Sequence, residues 1–393
     1  MHNVITARTC TRFGIAPTTV RNALQCCLRQ LNHGIYVGIT RCPRHPELEM
    51  FLDDEEILAI RGAGAHCATR ADIDRVRRSE FLAAISAYSH YADGDVLALT
   101  AAAVLHEIPL IGSTRVYGPR SRRRSEDQQE PVSMLSLGEP GSRVHLDVWN
   151  PVRPYRSTWI TRRMSEVDLV DVAEVNGRAV TTAVRTCVDL ARAGTAFDGT
   201  VAMDHILARA LTGGGDVALE RVKQELRACV ERADRTPGVR RARIAVSTAT
   251  GRAESVAESI ALQWFQVLGI RHVQQQVEIM GEMNEFIGRV DFLLTADDGT
   301  PVVVEVDGAV KYRAPFPGLV RSAAQGSQSQ GAVHGGDAGS IPTGSGSNPL
   351  FREKQREDRI RRESYRVVRL TWKDLMSDMA MMMRLRDAGI DVR

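Results

Sequence analysis

Residues 302 to 308 read VVVEVDG, four valines and two acids followed by glycine. A strand whose other residues are all apolar is typical of the buried centre of a sheet. The two-residue period of a strand places Glu305 and Asp307 on the same face. Because a buried acid needs a compensating partner, this stretch predicts a central strand that ends in a functional acidic site.

The segments on either side extend this strand into a sheet. Alternating apolar residues predict strands at 273–280 and 289–295, and the Asp-Asp-Gly-Thr turn at 297–300 predicts a hairpin between the second of these and VVVEVDG. Residues 251–268 form an amphipathic pattern that stops at Gly269, which predicts a helix in front of the sheet.

The chain composition changes sharply after the acidic strand. Residues 314–350 are rich in Gly, Ser, Gln and Ala and predict a disordered insert. Order is expected to resume at Phe351 with a charged helix, REKQREDRIRRES, then a strand in SYRVVRLTW and a final helix.

Three acids of this region are predicted to converge. Asp291 lies on the strand next to Glu305 and Asp307. Clustered carboxylates repel one another unless a cation compensates, and an all-oxygen site suits Mg²⁺ or Mn²⁺. Such a cation acts as a Lewis acid on a phosphodiester, and Lys311 would add positive charge to the transition state or orient the attacking water. The alternative is a sheet edge whose acids face solvent beside a turn.

The length of 393 residues exceeds what one hydrophobic core serves and predicts several domains. Residues 8–37 read as two helices and a strand-like GIYV, which predicts a winged helix-turn-helix domain at 1–78. The residues expected to contact DNA lie at the start of its second helix. They are Thr18, Thr19, Arg21 and Asn22. A plain helical hairpin capped by a β-turn is the alternative.

Residues 79–245 predict an α+β middle domain, and 246–393 the domain that carries the acids. His106, His145 and His205 lie inside predicted elements of the middle domain without a partner motif, which favours packing roles. An exposed loop is predicted at 113–131, where arginines occupy 120 and 122–124.

The bulk composition is that of an ordinary globular protein, with 43% hydrophobic and 25% charged residues and a net charge of +3. The seven cysteines include no CxxC pair, and no histidine is expected at the spacing that would complete a zinc site. The sequence therefore predicts no structural zinc. The odd cysteine number and the lack of a charged-then-apolar leader predict a reducing cytoplasmic location. No apolar run is long enough to span a bilayer.

The C-terminal segments resemble a known family. AESVAESIALQWFQVLGI, RVDFLL, VVVEVDGAVKY and EKQREDRIRRESYRVVRLTW are similar in order and spacing to very-short-patch-repair-like endonuclease domains of uncharacterised bacterial proteins, a branch of the PD-(D/E)XK nucleases. The resemblance covers roughly 251–376 and implies a restriction-endonuclease-like α/β fold.

The same resemblance implies roles for individual residues. Glu258, with Glu254 as second choice, would be the helix acid, and Asp291 and Glu305 the other metal ligands. Arg356 and Arg359 would lie beside the active centre and contact DNA. The superfamily pattern has lysine two residues after the glutamate, where this chain has Asp307, and Lys311 is the candidate substitute.

The N-terminal region resembles the winged-helix head of AbiEi-type antitoxins through FGIAPTTVRNAL, GIYV, ALTAAAVLHEIPLIG and TTAVRTCVDLARAG. Two functions follow as hypotheses: a DNA-binding, Mg²⁺-dependent endonuclease in phage defence or DNA processing, or an antitoxin-like repressor whose nuclease fold is inactive. The expected partners are DNA and a cognate toxin or phage component. Mismatch repair is a third hypothesis, but no segment indicates a mismatch-reading wedge. The oligomeric state is not indicated.

Overall fold

The computed structural model describes residues 3–63, 69–112, 133, 135–307 and 349–392. Its architecture is mixed α+β with several sheets, as expected of an α+β multidomain protein. Lys311, the arginine-rich loop predicted at 113–131 and all but the last two residues of the predicted insert lie outside the described residues. Those last two residues correct the prediction. A helix begins at Pro349 rather than Phe351, because proline suits the first turn of a helix.

The N-terminal head combines short helices with a three-stranded antiparallel sheet of order β1-β3-β2. Its elements are β1 (Val4–Thr6), α1 (Ala7–Arg12), α2 (Pro17–Ala23), β2 (Leu28–Asn32), β3 (Ile35–Gly38), a 3-10 helix (Pro46–Phe51) and α3 (Glu55–Ala63). Both predicted helices and the predicted strand at GIYV are present. Gly34 makes the β2–β3 turn with φ +66°, a conformation that favours glycine. Ile5, Val20 and Leu28 form part of the small core under this sheet.

The middle region is built on a six-stranded mixed sheet of order β6-β7-β5-β4-β9-β8, followed by packed helices. Its elements are α4 (Arg70–Ala87), β4 (Val96–Leu97), α5 (Leu99–Leu105), β5 (Leu146–Asn150), β6 (Tyr155–Arg156), β7 (Ile160–Met164), β8 (Val172–Val175), β9 (Arg178–Thr181), α6 (Ala183–Ala193), α7 (Ala196–Arg232) and α8 (Val239–Thr248). Helix α4 runs through residue 78, where a domain boundary was predicted. Leu31 and Ile35 of the head share one core with Phe81 of α4 and Val148 of β5.

The C-terminal region contains a four-stranded sheet of order β10-β11-β12-β13, antiparallel except for the parallel β12–β13 pair. Its elements are α9 (Val256–Val267), β10 (Gln274–Met280), β11 (Phe286–Thr295), β12 (Pro301–Asp307), α10 (Pro349–Arg362), β13 (Arg366–Thr371), α11 (Trp372–Leu375) and α12 (Asp378–Asp387). All three predicted strands and the hairpin are confirmed. The helix predicted from residue 251 begins at Val256, because the Ser255 hydroxyl caps it.

The VVVEVDG strand is central, as predicted. Val302, Val303 and Val304 are fully buried in β12 between β11 and β13. Val302 and Val304 pack in the core that includes Phe265 of α9, whereas Val303 packs against Ile360 of α10. The sheet therefore lies between α9 and α10. Among the described residues no helix is long and apolar enough to cross a membrane.

Candidate functional site

Glu258 is held at the N-terminus of α9 in a buried position. The Ser255 hydroxyl accepts from the Glu258 backbone N–H (3.1 Å) and donates to Glu258 Oε1 (2.7 Å). The Glu254 backbone N–H donates to Glu258 Oε2 (2.9 Å). The first N–H groups of a helix have no intrahelical partner, and the Ser255 hydroxyl satisfies one of them, while the Glu258 carboxylate accepts from the Ser255 hydroxyl and from the backbone N–H just before the cap.

Asp291 lies where β11 and β12 separate. The antiparallel ladder ends at the pair Phe292–Val304, one residue short of Asp291. Beyond that point the Val306 backbone N–H donates to Asp291 Oδ2 (2.8 Å) instead of continuing the ladder. The side chain of Asp291 therefore takes the place of the next backbone hydrogen bond and holds the two strands at the residue beside Glu305.

Gln276 on β10 binds Glu258 and lies opposite Asp291 in the strand register. It lies between the pairs Gln275–Phe292 and Val277–Val290, so it faces position 291 across the strands. Its side-chain amide donates to Glu258 Oε2 (2.9 Å). Gln276 has φ +55° inside a strand, a strained conformation that for residues other than glycine concentrates at functional positions. No motif in the sequence predicts a role for Gln276, and the local signal is the QQQ run at 274–276.

The pKa values of Glu258 and Asp291 are both raised, mainly by burial. Burial, followed by the charge of Asp291, raises the pKa of Glu258 to about 8. Burial also raises the pKa of Asp291, against the opposing effect of the Val306 N–H donor. Near neutral pH Glu258 therefore holds a proton that a nearby cation would displace.

Glu305 of β12 is paired with Arg356 of α10. Its Oε1 lies 2.9 Å from Arg356 Nη2, and Arg356 Nη1 donates to the Arg289 carbonyl (2.9 Å). The Arg356 side chain crosses β11 at Gly288, where a Cβ would lie 2.9 Å from Arg356 Cδ. Arg356, expected to contact DNA, thus lies within the acidic cluster, and its charge also lowers the pKa of Asp291 against the effect of burial.

Asp307 belongs to a second ionic group on the same side of the sheet. Its Oδ2 lies 3.2 Å from Arg369 Nη1, and Arg369 also pairs with Glu357 of α10 (2.9 Å). Arg359, the other residue of α10 expected to contact DNA, is exposed and lies 3.7 Å from Glu285. Lys311, the proposed lysine substitute, lies outside the described residues.

In the head, the residues expected to contact DNA lie on the outer side of α2. Thr18, Arg21 and Asn22 are exposed and Thr19 is half-buried, whereas Val20 faces the core. In the middle region the Nε2 of His106 lies 2.6 Å from the Thr181 carbonyl, as a packing histidine would.

The expectation that no histidine stands at metal-ligand spacing is wrong. Across the described part of the chain, one group of three or more His, Cys, Asp or Glu side chains has ligand atoms all within 4.8 Å of one another. It consists of Cys26, Cys27, Cys42 and His45. Cys42 and His45 are three positions apart, a spacing that a search for CxxC pairs alone overlooks. The carboxylate oxygens of Glu258, Asp291 and Glu305 do not all lie within 4.8 Å of one another.

Comparisons of the chain with models of known protein families, with curated proteins and with solved structures find no match.

Proposed function

We propose that this protein is a DNA-binding, Mg²⁺- or Mn²⁺-dependent endonuclease. In this proposal the C-terminal region is a restriction-endonuclease-like domain of the PD-(D/E)XK type, and the head is a winged helix-turn-helix that recruits DNA. The observation that carries it is the buried Glu258 beside the half-buried Asp291 at the point where β11 and β12 separate. Two like-charged groups with raised pKa values are costly to hold together unless a cation joins them.

The donor set fits a hard divalent cation. Glu258, Asp291 and Glu305 offer carboxylate oxygens, which Mg²⁺ and Mn²⁺ prefer. A bound cation would supply Lewis-acid activation of a phosphodiester. Because the three acids are more spread than the head cluster, binding all three would draw Glu305 away from Arg356.

The protein's own residues then have distinct tasks. Gln276 and the Glu254 N–H orient the Glu258 carboxylate, and the Val306 N–H orients Asp291. Arg356 occupies the site with positive charge when no cation is bound, and it becomes available to a phosphate when Glu305 binds the cation. Lys311 is the proposed source of further positive charge.

A supercoiled plasmid tests this function. Wild-type protein with Mg²⁺ or Mn²⁺ is expected to nick or linearise the plasmid, and Asp291→Asn should slow cleavage by about a hundredfold or more, because several kcal/mol of transition-state stabilisation depend on the cation. Asp298→Asn, which changes an exposed acid at the other end of the β11–β12 hairpin, is the matched control. Equal cleavage by wild type and Asp291→Asn would reject the proposed site.

Two ion pairs favour a second candidate, an antitoxin-like repressor with an inactive nuclease fold. Arg356 neutralises Glu305, and Arg369 neutralises Asp307, the residue that stands where the superfamily has its lysine. A repressor should bind its own promoter in a salt-sensitive manner. It should not cleave DNA, whichever divalent cation is added. A cognate toxin or phage component would then be its further partner.

A further inference from the structure

The head brings four sulfur and nitrogen metal ligands together from two separate segments. Cys26 and Cys27 lie in the turn between α2 and β2, Cys42 lies in the loop after β3, and His45 immediately precedes the 3-10 helix. Cys27 is buried, and the other three are partly buried. Neither cation-dependent hydrolysis nor DNA contact by α2 makes use of this cluster.

The distances inside the cluster have the dimensions of a zinc site. Cys26 Sγ lies 3.7 Å from Cys27 Sγ and 3.8 Å from Cys42 Sγ. His45 Nδ1 lies 3.4 Å from Cys26 Sγ and 3.6 Å from Cys27 Sγ. A tetrahedron with Zn–S of about 2.3 Å and Zn–N of about 2.0 to 2.1 Å has S···S edges of about 3.8 Å and S···N edges of about 3.5 Å.

We propose that Cys26, Cys27, Cys42 and His45 bind one structural zinc ion in the head. Four protein ligands fill the tetrahedral coordination of zinc, which is the arrangement of structural rather than catalytic sites. Thiolate and imidazole ligands select zinc over Mg²⁺ or Mn²⁺, so this site is chemically separate from the acidic one.

The cluster cysteines are not joined in a disulfide, and a positive charge lies beside them. The sulfur separations are far longer than the bond of about 2.05 Å in a disulfide, and these cysteines are free. The Arg44 guanidinium, which bonds the Cys42 thiol, supplies a positive charge that balances the net negative charge of three thiolates, zinc and a neutral histidine.

A zinc ion here would fix the geometry of the proposed DNA-binding surface. It would join the end of α2 to the loop that follows the β2–β3 hairpin, so the exposed residues of α2 would keep a constant position relative to the hairpin. The head has few buried side chains of its own, and a metal supplements a small hydrophobic core.

Metal analysis of the full chain, purified without a histidine tag, tests the proposal. Elemental analysis by inductively coupled plasma mass spectrometry is expected to find about one zinc per chain. Replacement of zinc by Co²⁺ should give the visible absorption of tetrahedral cobalt together with a sulfur-to-cobalt charge-transfer band. Cys42→Ser should lose the zinc and weaken the band, whereas Cys10→Ala, a buried cysteine of the same core outside the cluster, should keep both.

Two further variants guard against a result that reflects misfolding. His45→Cys should retain about one zinc and strengthen the charge-transfer band, because it exchanges a nitrogen ligand for sulfur. Cys187→Ala, in the core of the middle region, controls for loss of a thiol elsewhere. Wild-type protein with neither zinc nor tetrahedral cobalt absorption, or with a disulfide within the cluster, would overturn the proposal, as would equal zinc content in Cys42→Ser.

Discussion

The two clusters of the molecule differ in how completely their ligands are assembled. In the head, sulfur and nitrogen ligands from two segments already lie within 4.8 Å of one another. In the C-terminal region the carboxylate ligands, of which only Glu258 is fully buried, lie farther apart, and a proton on Glu258 and the charge of Arg356 compensate for the repulsion between them. A structural ion suits the first arrangement. The second suits an ion that arrives with substrate, because the site is stable without it and changes when it binds.

The largest expected effect is on stability, and it should have opposite signs in the two clusters. Cys27→Ser is expected to lower the free energy of unfolding of the head by several kcal/mol. Apparent zinc-binding free energies in small domains are about 10 to 16 kcal/mol, partly offset by the cost of ordering the ligands. Thermal unfolding with and without a zinc chelator measures it. A variant as stable as wild type, with no response of either to chelator, would contradict the structural role.

The acidic cluster should instead become more stable when its charge is removed. The pKa of Glu258 is about 8 in the folded protein against an ordinary value of 4.5. Between these two values the unfolded chain releases a proton that the folded chain retains. The contribution of this group is therefore complete below pH 4.5 and is lost as the pH rises through 8, at up to about 1.4 kcal/mol per pH unit.

Glu258→Gln is thus expected to flatten the fall in stability between pH 5 and pH 8 and to be a few kcal/mol more stable than wild type at pH 8. Denaturant unfolding across this pH range measures the effect. Glu254→Gln, which changes the exposed neighbour paired with Arg289, should keep the wild-type slope. If Glu258→Gln keeps that slope as well, the acid is not the source of the pH dependence.

Arg356→Gln sharpens the difference between a metal competitor and a DNA contact. Removing the positive charge of Arg356 beside Glu305 is expected to lower the Mg²⁺ concentration for half-maximal cleavage by about threefold to tenfold. Arg359→Gln on the same helix is the matched control, because the Arg359 side chain is exposed and pairs with Glu285 rather than with Glu305. An unchanged Mg²⁺ requirement, with a salt dependence of DNA binding reduced by about one unit, would make Arg356 a phosphate contact instead.

The smallest expected effect concerns the recognition surface of the head. Arg21→Ala should weaken DNA binding and reduce the slope of log affinity against log salt by about one unit, while leaving the maximal cleavage rate unchanged. Fluorescence anisotropy over a series of salt concentrations measures it. Arg235→Ala, an exposed arginine in the turn between α7 and α8, should bind like wild type. The same slope for both variants would remove α2 from the DNA interface.

Local patterns made the C-terminal sheet predictable. The valine run of β12, the Asp-Asp-Gly-Thr turn and the alternation in β11 each depend on neighbouring residues, and the positions of Asp291 and Glu305 on adjacent strands follow from them. The charges that surround these acids could not be predicted in this way. Arg356 reaches Glu305 across 51 positions of sequence, and the left-handed conformation of Gln276 depends on tertiary contacts.

The head cluster escaped prediction for a related reason. Cys26 and Cys42 are 16 positions apart, and their approach depends on the β2–β3 hairpin that brings the two loops together. The pair Cys42 and His45 was visible in the sequence, yet adjacent cysteines such as Cys26 and Cys27 do not match the usual CxxC spacing.

A crystal structure with Mn²⁺ and a DNA oligonucleotide, recorded at a wavelength sensitive to anomalous scattering from manganese, tests the acidic site most directly. We predict an anomalous peak bonded to carboxylate oxygens of Asp291 and Glu305 at about 2.0 to 2.2 Å, with Arg356 displaced from Glu305 toward the phosphate. An intact Arg356–Glu305 pair with no peak near Asp291 would contradict the proposed catalysis.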